Sequence, residues 1–276
     1  MCGPTASGKS GLSDDLADVL TEELGAFVPT LVVDSMQVYR EIPTITNQHR
    51  RRPAELAGIV PVTEEWTVAR HRARAQEIID RSGTPFVLDA GTGMYLNTIL
   101  LDVPLAPQVD ANTRRLAESL TSGAPNPRRA ARQKELELAG ALSRRSIWDG
   151  EPRYDTALIY VRPDRQTLDA AIQERSEQIV TRGVQEAENL AQMREDGAEI
   201  NPSVLDSIGV RELLDHLSGS LTAEEARDHI TTRSRQLARR QRRWFDKLAR
   251  TLAGRVPTTV VESPSDINTM HDRIWA

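Results

Sequence analysis

The stretch Gly3-Pro4-Thr5-Ala6-Ser7-Gly8-Lys9-Ser10 satisfies the pattern G-x-x-x-x-G-K-[ST] in full. Its glycines allow the backbone to wrap closely enough for N–H groups to point at phosphate oxygens, and Lys9 adds a positive charge against the terminal phosphates. The Ser10 hydroxyl is a candidate ligand of Mg²⁺, and the helix predicted after it adds its positive end. We therefore predict a P-loop that binds ATP or another polyphosphate or pyrophosphate. A chance glycine-rich turn is the alternative, and the helix that follows argues against it.

The first 100 residues alternate between strand and helix patterns. Two short apolar runs, 30–33 and 85–88, end in Asp34 and Asp89, and helical stretches separate them. Strands separated by helices imply a parallel sheet, whose ligands gather at the carboxyl ends of the strands. A carboxylate at such an end, beside a P-loop, can act as a metal ligand, a general base or a structural cap. The turn after the second run can bring Thr92 to the same site.

The remainder of the chain predicts an insertion and a helical end. Polar residues dominate 104–150, with Pro, Gly and Arg scattered among them, and we interpret this segment as a small helical insertion. A returning strand is predicted within 154–161, and Asp164 is a candidate N-cap for a helix whose apolar face runs from 168 to 190. The predicted fold class is α/β, a P-loop NTPase-like parallel sheet flanked by helices with a small helical insertion. The domain organisation is a first core segment, the insertion and a second core segment, at 1–103, 104–150 and 151–276.

Composition and charge limit the classes of function. Hydrophobic residues make up 39% and charged residues 27%, and no apolar run approaches the roughly 20 residues that span a bilayer, so no membrane partner is expected. The single cysteine, Cys2, excludes an internal disulfide and a cysteine-based zinc site and favours the cytoplasm.

We expect a monomer. Only Met1 and Cys2 precede the P-loop, so the strand leading into it is either shortened or begins upstream.

A basic stripe near the end of the chain indicates a polyanion. The net charge is −5, yet between Thr231 and Arg250 there are eight Arg or Lys and a single acid, Asp246. Phosphate contacts are local and are screened over about 10 Å, so an acidic protein can still bind a polyanion through such a stripe. A solvated helix face is the alternative interpretation. The sparsity of acids favours phosphate contact.

Four motifs in order resemble those of the tRNA dimethylallyltransferases, also called tRNA isopentenyltransferases. They are the P-loop, 34–40 (DSMQVYR), 91–96 (GTGMYL) and 234–245 (SRQLARRQRRWF). The segment 205–217 is also similar to that family, with Val210 in place of its usual tyrosine. The resemblance extends loosely over nearly the whole chain, and it implies a prenyltransferase that moves a dimethylallyl group from dimethylallyl diphosphate to the exocyclic amine of an adenine beside the tRNA anticodon.

The resemblance also implies roles for individual residues. Asp34 would orient the adenine amine and accept its proton, Thr92 would lie where the amine meets the allylic carbon, and Arg235 would contact pyrophosphate. These three are the predicted catalytic residues. The residues implied to bind the donor are Gly3, Thr5, Ala6, Ser7, Gly8, Lys9, Ser10 and Ser234, with Mg²⁺ on Ser10. The residues implied to bind tRNA are Gln37, Arg239, Arg240, Gln241, Arg242 and Arg243.

The sequence also departs from the family pattern elsewhere. The family's Asp-Ile-Gly-Thr-Ala-Lys-Pro stretch is replaced by 43–48, which lacks the lysine, and the insertion is shorter than the family's anticodon-gripping subdomain. Asp89, before the 91–96 turn, is similar to the acid in free-nucleotide isopentenyltransferases that make cytokinins. Three alternatives therefore stay open, namely prenylation of free AMP, ADP or ATP, a P-loop kinase of a small molecule with the insertion as its lid, and an inactive RNA-binding relative.

Overall fold

The structure is a computed structural model and describes residues 1–125, 127–141 and 146–262 of the 276-residue chain. Its strands are β1 (Thr30–Val33), β2 (Ala54–Glu55), β3 (Val87–Ala90), β4 (Leu158–Val161) and β5 (Thr258–Val261). Its helices are α1 (Lys9–Leu24), α2 (Pro43–Thr46), α3 (Val68–Arg81), α4 (Gly93–Leu100), α5 (Ala111–Thr121), α6 (Pro127–Leu138), α7 (Arg165–Arg182), α8 (Val184–Glu195), α9 (Pro202–Leu205), α10 (Val210–Leu217) and α11 (Ala223–Leu252).

A parallel sheet forms the centre of the protein, as predicted. β1 lies between β2 and β3, β4 pairs with β5, and every pair is parallel. Cys2 joins the two parts, because it forms single parallel bridges with Ala90 and Tyr160. The order is therefore β2-β1-β3-Cys2-β4-β5, and the P-loop follows directly from the central position. Cys2 is fully buried, and this burial raises the pKa of its thiol to about 12.

The register of the sheet brings the two predicted motif turns together. Val33 at the end of β1 pairs with Ala90 at the end of β3. The residues that follow, Asp34 and Gly91, consequently leave the sheet side by side, at the carboxyl edge where parallel sheets hold ligands. Residues 30–33 form β1 as predicted. The predicted run 85–88 corresponds to β3, which begins two residues later, at Val87.

The helical segment after β4 differs from the prediction. Asp164 caps α7 as expected, since its carboxylate accepts hydrogen bonds from the N–H groups of Gln166 (2.7 Å) and Thr167 (3.0 Å). The apolar face predicted from 168 to 190, however, belongs to two helices that meet at Gly183. A Cβ on Gly183 would lie 2.6 Å from the Ile179 carbonyl oxygen. Glycine allows the close approach of the two helices at the point where the predicted single helix is interrupted.

Helices cover the sheet and fill the predicted insertion. α5 and α6 pack against each other within 104–150, while residues 126 and 142–145 of that segment lie outside the described residues. The boundaries proposed for the domains stay a prediction. In the described ranges none of the helices combines the length and apolar character that a bilayer crossing requires.

The final long helix predicted from the basic stripe is α11, which spans 30 residues. It begins at a capping box in which the Thr222 N–H donates to Glu225 Oε2 (2.8 Å) and the Glu225 N–H donates to Thr222 Oγ1 (3.2 Å). Its apolar side buries Ile230, Phe245 and Leu248 against the rest of the core. Ser234 and Gln241 line the P-loop cavity and recur at helical spacing with these three residues, so the packing fixes this side of the helix beside the P-loop.

Candidate active site

The P-loop has the backbone conformation that its sequence predicts. Gly8 has φ 78°, in the left-handed region where glycine is favoured, and α1 begins immediately after it. A Cβ on Gly3 would lie 2.8 Å from both Ser7 Oγ and the Val161 carbonyl oxygen, so the loop closes too tightly for a side chain there. Lys9 and Ser10 form the first turn of α1, whose positive end faces the loop.

A cavity of about 900 Å³ opens at the carboxyl edge of the sheet, next to the P-loop. Its walls come from the segments after β1 and β3, from α2 and α7, and from α11. The predicted residues that line it are Thr5, Ala6, Ser7, Gly8, Lys9, Ser10, Asp34, Gln37, Thr92, Ser234, Arg240 and Gln241. The predicted residues outside its lining are Gly3, Arg235, Arg239, Arg242 and Arg243.

Asp34 and Thr92 form the polar centre of this cavity. Asp34 Oδ1 accepts hydrogen bonds from the N–H groups of Met36 (2.9 Å) and Gln37 (3.4 Å), and Asp34 Oδ2 accepts one from the Thr92 hydroxyl at 3.3 Å. A Cβ on Gly91 would lie 2.5 Å from Asp34 Oδ2, so the turn can approach the carboxylate only with glycine there. Burial raises the pKa of Asp34 above its ordinary value, against the opposing effects of the Met36 N–H and of Lys9.

Asp89 has a different environment, although it also ends a strand beside the P-loop. Its side chain is 1% exposed, and its Oδ2 pairs with Arg50 Nη1 at 2.5 Å. Arg50 also pairs with Asp14 on α1 (2.7 Å) and donates to the Ser10 carbonyl (3.1 Å). Burial opposes ionisation of Asp89, but Lys9 and Arg50 outweigh it and lower the pKa of this carboxyl below its ordinary value. Sequence reasoning missed Arg50, whose one signal was the run 50–52 beside the missing lysine.

Two oxygen atoms near the P-loop are suited to a divalent cation. Asp89 Oδ1 is buried and has no hydrogen-bond partner, which is unusual for a carboxylate oxygen. The Ser10 hydroxyl lies close enough to contribute to the lowered pKa of Asp89. Within the described ranges no group of three or more His, Cys, Asp or Glu could hold a metal ion. Any metal here would therefore take most of its remaining ligands from a bound diphosphate and from water, as Mg²⁺ commonly does.

The segment that replaces the family's lysine-containing stretch forms a wall of the cavity. Glu186 accepts hydrogen bonds from the N–H groups of Thr44 (2.6 Å) and Ile45 (2.9 Å) at the start of α2. Arg175 donates to the Ile45 carbonyl (2.9 Å) and to Asn47 Oδ1 (3.0 Å) at its end. Burial lowers the pKa of Arg175 to about 10. These two side chains fix α2 from both ends, and neither was singled out from the sequence as a site residue.

The structure does not bring Arg235 to the P-loop cavity. Its guanidinium lies in a second groove between α7 and α11, where Nε is 3.5 Å from Asp169 Oδ1. The neighbouring Arg233 does line the cavity, but its charge is directed to Glu212 (2.5 Å) and to the Asp206 carbonyl (2.6 Å). The pyrophosphate contact proposed for Arg235 thus finds no support in this arrangement, whereas Ser234 lines the P-loop cavity and its contact with the donor stays a prediction.

The residues proposed to bind RNA fall into two groups. Arg239, Arg240 and Arg243 are exposed and Arg242 is half-buried, and none of the four has a carboxylate partner in the described part of the chain. Gln241 differs, because both ends of its amide are used inside the protein. Its Oε1 accepts a hydrogen bond from the Thr5 N–H (2.8 Å), and its Nε2 donates to the Gly91 carbonyl (2.8 Å).

Comparison with known proteins adds to this geometry. The sequence profile described as IPP transferase matches residues 37–146 and 123–248. The tRNA dimethylallyltransferase of Rubrobacter xylanophilus is 59% identical over 283 residues, covering 100% of this chain and 97% of that protein. The enzyme of the same name from Corynebacterium efficiens is 33% identical, covering 89% of this chain and 90% of its own length. The crystal structure of the tRNA isopentenylpyrophosphate transferase from Bacillus halodurans aligns with a TM-score of 0.70 at 26% identity, covering 99% of this chain and 94% of that one.

Proposed function

The chain belongs to the IPP transferase family, and we propose that it transfers a dimethylallyl group from dimethylallyl diphosphate to the exocyclic amine of an adenine next to the tRNA anticodon. The observation that carries this proposal is a cavity in which a P-loop faces Asp34, a half-buried carboxylate with a raised pKa. The P-loop can bind the diphosphate of the donor, and Asp34 can accept the proton that the amine nucleophile loses. Matching relatives named for prenyl transfer support this chemistry over phosphoryl transfer.

The donor diphosphate would lie against the P-loop and the start of α1. In the reaction the bond between the allylic carbon and the diphosphate oxygen breaks, and pyrophosphate departs with the electron pair. The positive end of α1 and the Lys9 ammonium would stabilise this developing charge, and both are in place before the reaction. Ser234 on α11 lines the same cavity and would contact the diphosphate as well.

Asp34 would accept the proton that the adenine amine loses as the new carbon–nitrogen bond forms. The amine is a poor nucleophile because its lone pair is delocalised into the ring, so a base within hydrogen-bond reach accelerates the step. The hydrogen bonds to Oδ1 and Oδ2 from the Met36 N–H and the Thr92 hydroxyl hold the carboxylate in one orientation. Thr92 would thereby position the base and border the place where the two substrates meet.

Mg²⁺ fits the oxygen atoms available beside the P-loop. The Ser10 hydroxyl and the unpartnered Asp89 Oδ1 would hold it together with the diphosphate. When bound, Mg²⁺ supplies additional positive charge for the leaving diphosphate. Asp89→Asn should weaken Mn²⁺ binding in the presence of diphosphate, measured by electron paramagnetic resonance. Glu22→Gln, at an exposed carboxylate of α1, is the control. Unchanged Mn²⁺ affinity in Asp89→Asn would leave Asp89 as a partner of Arg50 alone.

We also propose that the acceptor is tRNA and that the enzyme acts as a cytoplasmic monomer. The exposed arginines of α11 support a polyanionic acceptor, because none of them is neutralised by a carboxylate in the described part of the chain. Equilibrium sedimentation of the pure protein and fractionation of expressing cells test the oligomeric state and the location.

A direct product assay tests the proposed reaction. The full chain is incubated with isotopically labelled dimethylallyl diphosphate and Mg²⁺, with unmodified tRNA in one series and AMP, ADP or ATP in the other, followed by mass spectrometry of the nucleosides. Label on an adenine of the tRNA anticodon loop is the expected result. Label on free nucleotides only would reassign the acceptor. ATP turnover without transfer of the prenyl group would replace the proposal with a kinase.

A further inference from the structure

We infer that Gln241 is a positioning residue that sets the distance between the donor loop and the acceptor turn. This inference rests on the proposed prenyl transfer and adds a role that neither the motifs nor the family resemblance assigned to Gln241. Its side-chain amide forms a hydrogen bond at each end, and the two bonds reach the backbones of two separate segments. Thr5, at the tip of the P-loop, donates to Oε1 at 2.8 Å, and Nε2 donates to the Gly91 carbonyl at 2.8 Å.

Each of the two segments holds one partner of the reaction. The P-loop would hold the diphosphate and hence the allylic carbon. The turn after β3 carries Thr92, whose hydroxyl bonds Asp34, and would hold the amine. Transfer requires the reacting carbon and nitrogen to lie about 3–3.5 Å apart, so a shift of one segment relative to the other by 1 Å is costly.

The base of the P-loop is already fixed to the sheet, because the Gly3 N–H donates to the Ala90 carbonyl at 3.3 Å. The tip of the loop lies away from this bond, and Ala6 adopts a positive φ of 61° that an alanine rarely takes. Gln241 restrains this tip. It does so through the Thr5 N–H, which is therefore not available to a phosphate.

Gln241 is itself held by the packing of α11. Trp244, one turn further along, packs on Gly93 so closely that a Cβ there would collide with the indole ring. Its Nε1 donates to Asn97 Oδ1 at 3.1 Å, and the next residue, Phe245, is fully buried in the core. The amide of Gln241 is therefore presented from a rigid element, as positioning of the two segments requires.

The geometry also separates this role from RNA contact, the role the sequence predicted for Gln241. The hydrogen bonds to Thr5 and Gly91 fix the amide inside the protein, so a phosphate could be contacted only by its one remaining N–H. The exposed arginines on either side of it in sequence, Arg240 and Arg243, can bind phosphate. The two roles predict different kinetics, because positioning acts on kcat and RNA contact acts on the affinity for tRNA.

The test uses Gln241→Met, which keeps the length of the side chain and loses both hydrogen bonds, and Gln241→Asn, which keeps the amide but is too short to reach both segments. Gln236→Met is the matched control, since Gln236 is an exposed glutamine of the same helix. Assays are run well below the thermal unfolding midpoint of each variant, so that a loss of stability does not enter the rates. Both Gln241 variants should lower kcat at saturating substrates by about 10²-fold, with the Kd for tRNA and its salt dependence unchanged.

Two results would overturn the inference. The first is a wild-type kcat in both Gln241 variants. The second is an unchanged kcat with a raised Kd for tRNA and a shallower salt dependence, which would restore the role in RNA binding. Absence of prenyl transfer by the wild-type protein would remove the proposed function itself, and this outcome is separate from the comparison of variants.

Discussion

The Thr92 hydroxyl donates to Asp34 Oδ2 at 3.3 Å, although the two residues are separated by 58 positions in the chain. The parallel register of β1 and β3 creates this contact, because Val33 pairs with Ala90 and the following residues leave the sheet together. The same Thr92 oxygen accepts a hydrogen bond from the Ser35 N–H at 3.1 Å, which ties the two turns. The carboxylate is therefore oriented from both of the turns that frame the cavity.

Replacing Asp34 should affect the chemical step more than binding of the donor. Asp34→Ala should lower kcat by roughly 10²-fold or more, because the amine then lacks a base, while the diphosphate, bound mainly by the P-loop, is retained. Rapid-quench measurement of product and calorimetric titration of dimethylallyl diphosphate separate the two effects. A collapse of the donor affinity would instead assign Asp34 to the metal or to a structural cap of the turn.

The dependence of the rate on pH should report the raised pKa of Asp34. Only the ionised carboxylate accepts a proton, so kcat/KM should fall on the acid side with unit slope, through a pKa above the ordinary aspartate value. The negative charge of Asp89 contributes to this raised pKa, so Asp89→Asn should move the acid limb to lower pH. Profiles measured at saturating Mg²⁺ check this sign. An acid limb that moves to higher pH in the variant would contradict it.

The parts of this site that the sequence predicted are those with short-range signals. The P-loop is a contiguous motif, and β1 is an apolar run bounded by turn residues, so both could be read directly. Arg50, Glu186 and Arg175 act over more than 35 positions along the chain, and a run of arginines or a glutamate within a helix does not reveal its partner. The resemblance implied a role for Arg235 but no direction for its side chain, which depends on Asp169 of the adjacent α7.

His71 should make the stability of the protein depend on pH. Its Nδ1 accepts a hydrogen bond from Trp66 Nε1 at 3.0 Å, so Nδ1 must be unprotonated. The centroid of its ring lies 5.0 Å from the centroid of the Tyr95 ring. Burial lowers the pKa of His71 to about 4, whereas an unfolded chain binds this proton near pH 6.5. Neutral His71 therefore makes its full contribution to the free energy of unfolding above about pH 6.5. As pH falls toward about 4 the unfolded chain binds the proton more strongly, and the free energy of unfolding decreases by about 3 kcal/mol at most.

Urea unfolding at pH 7 and at pH 4.5 measures this contribution. The decrease in the free energy of unfolding between the two pH values should be smaller in His71→Gln than in the wild type. His229→Gln, a substitution at an exposed histidine of α11, should retain the wild-type decrease. Comparing the change with pH, rather than the stability at one pH, removes the contribution of lost packing around the ring. An equal decrease in all three proteins would show that His71 ionises in the folded state as it does in the unfolded one.

The affinity for tRNA should depend strongly on salt through the arginines of α11. Arg239, Arg240 and Arg243 are exposed, and no carboxylate in the described ranges pairs with them, so their charges are available to phosphates. Each true phosphate contact adds to the number of counterions released, so removing one arginine should reduce the slope of log K against log salt by about one.

Arg242→Ala plus Arg243→Ala should reduce this slope by up to about two. Filter binding across a salt series measures both. Arg182→Ala, at an exposed arginine of α7 outside the basic stripe, is the control. AMP carries a single phosphate, so its binding should change far less in the double variant. A shallow slope for the wild type, together with rapid prenylation of AMP, would contradict the tRNA assignment and favour a free nucleotide as the acceptor.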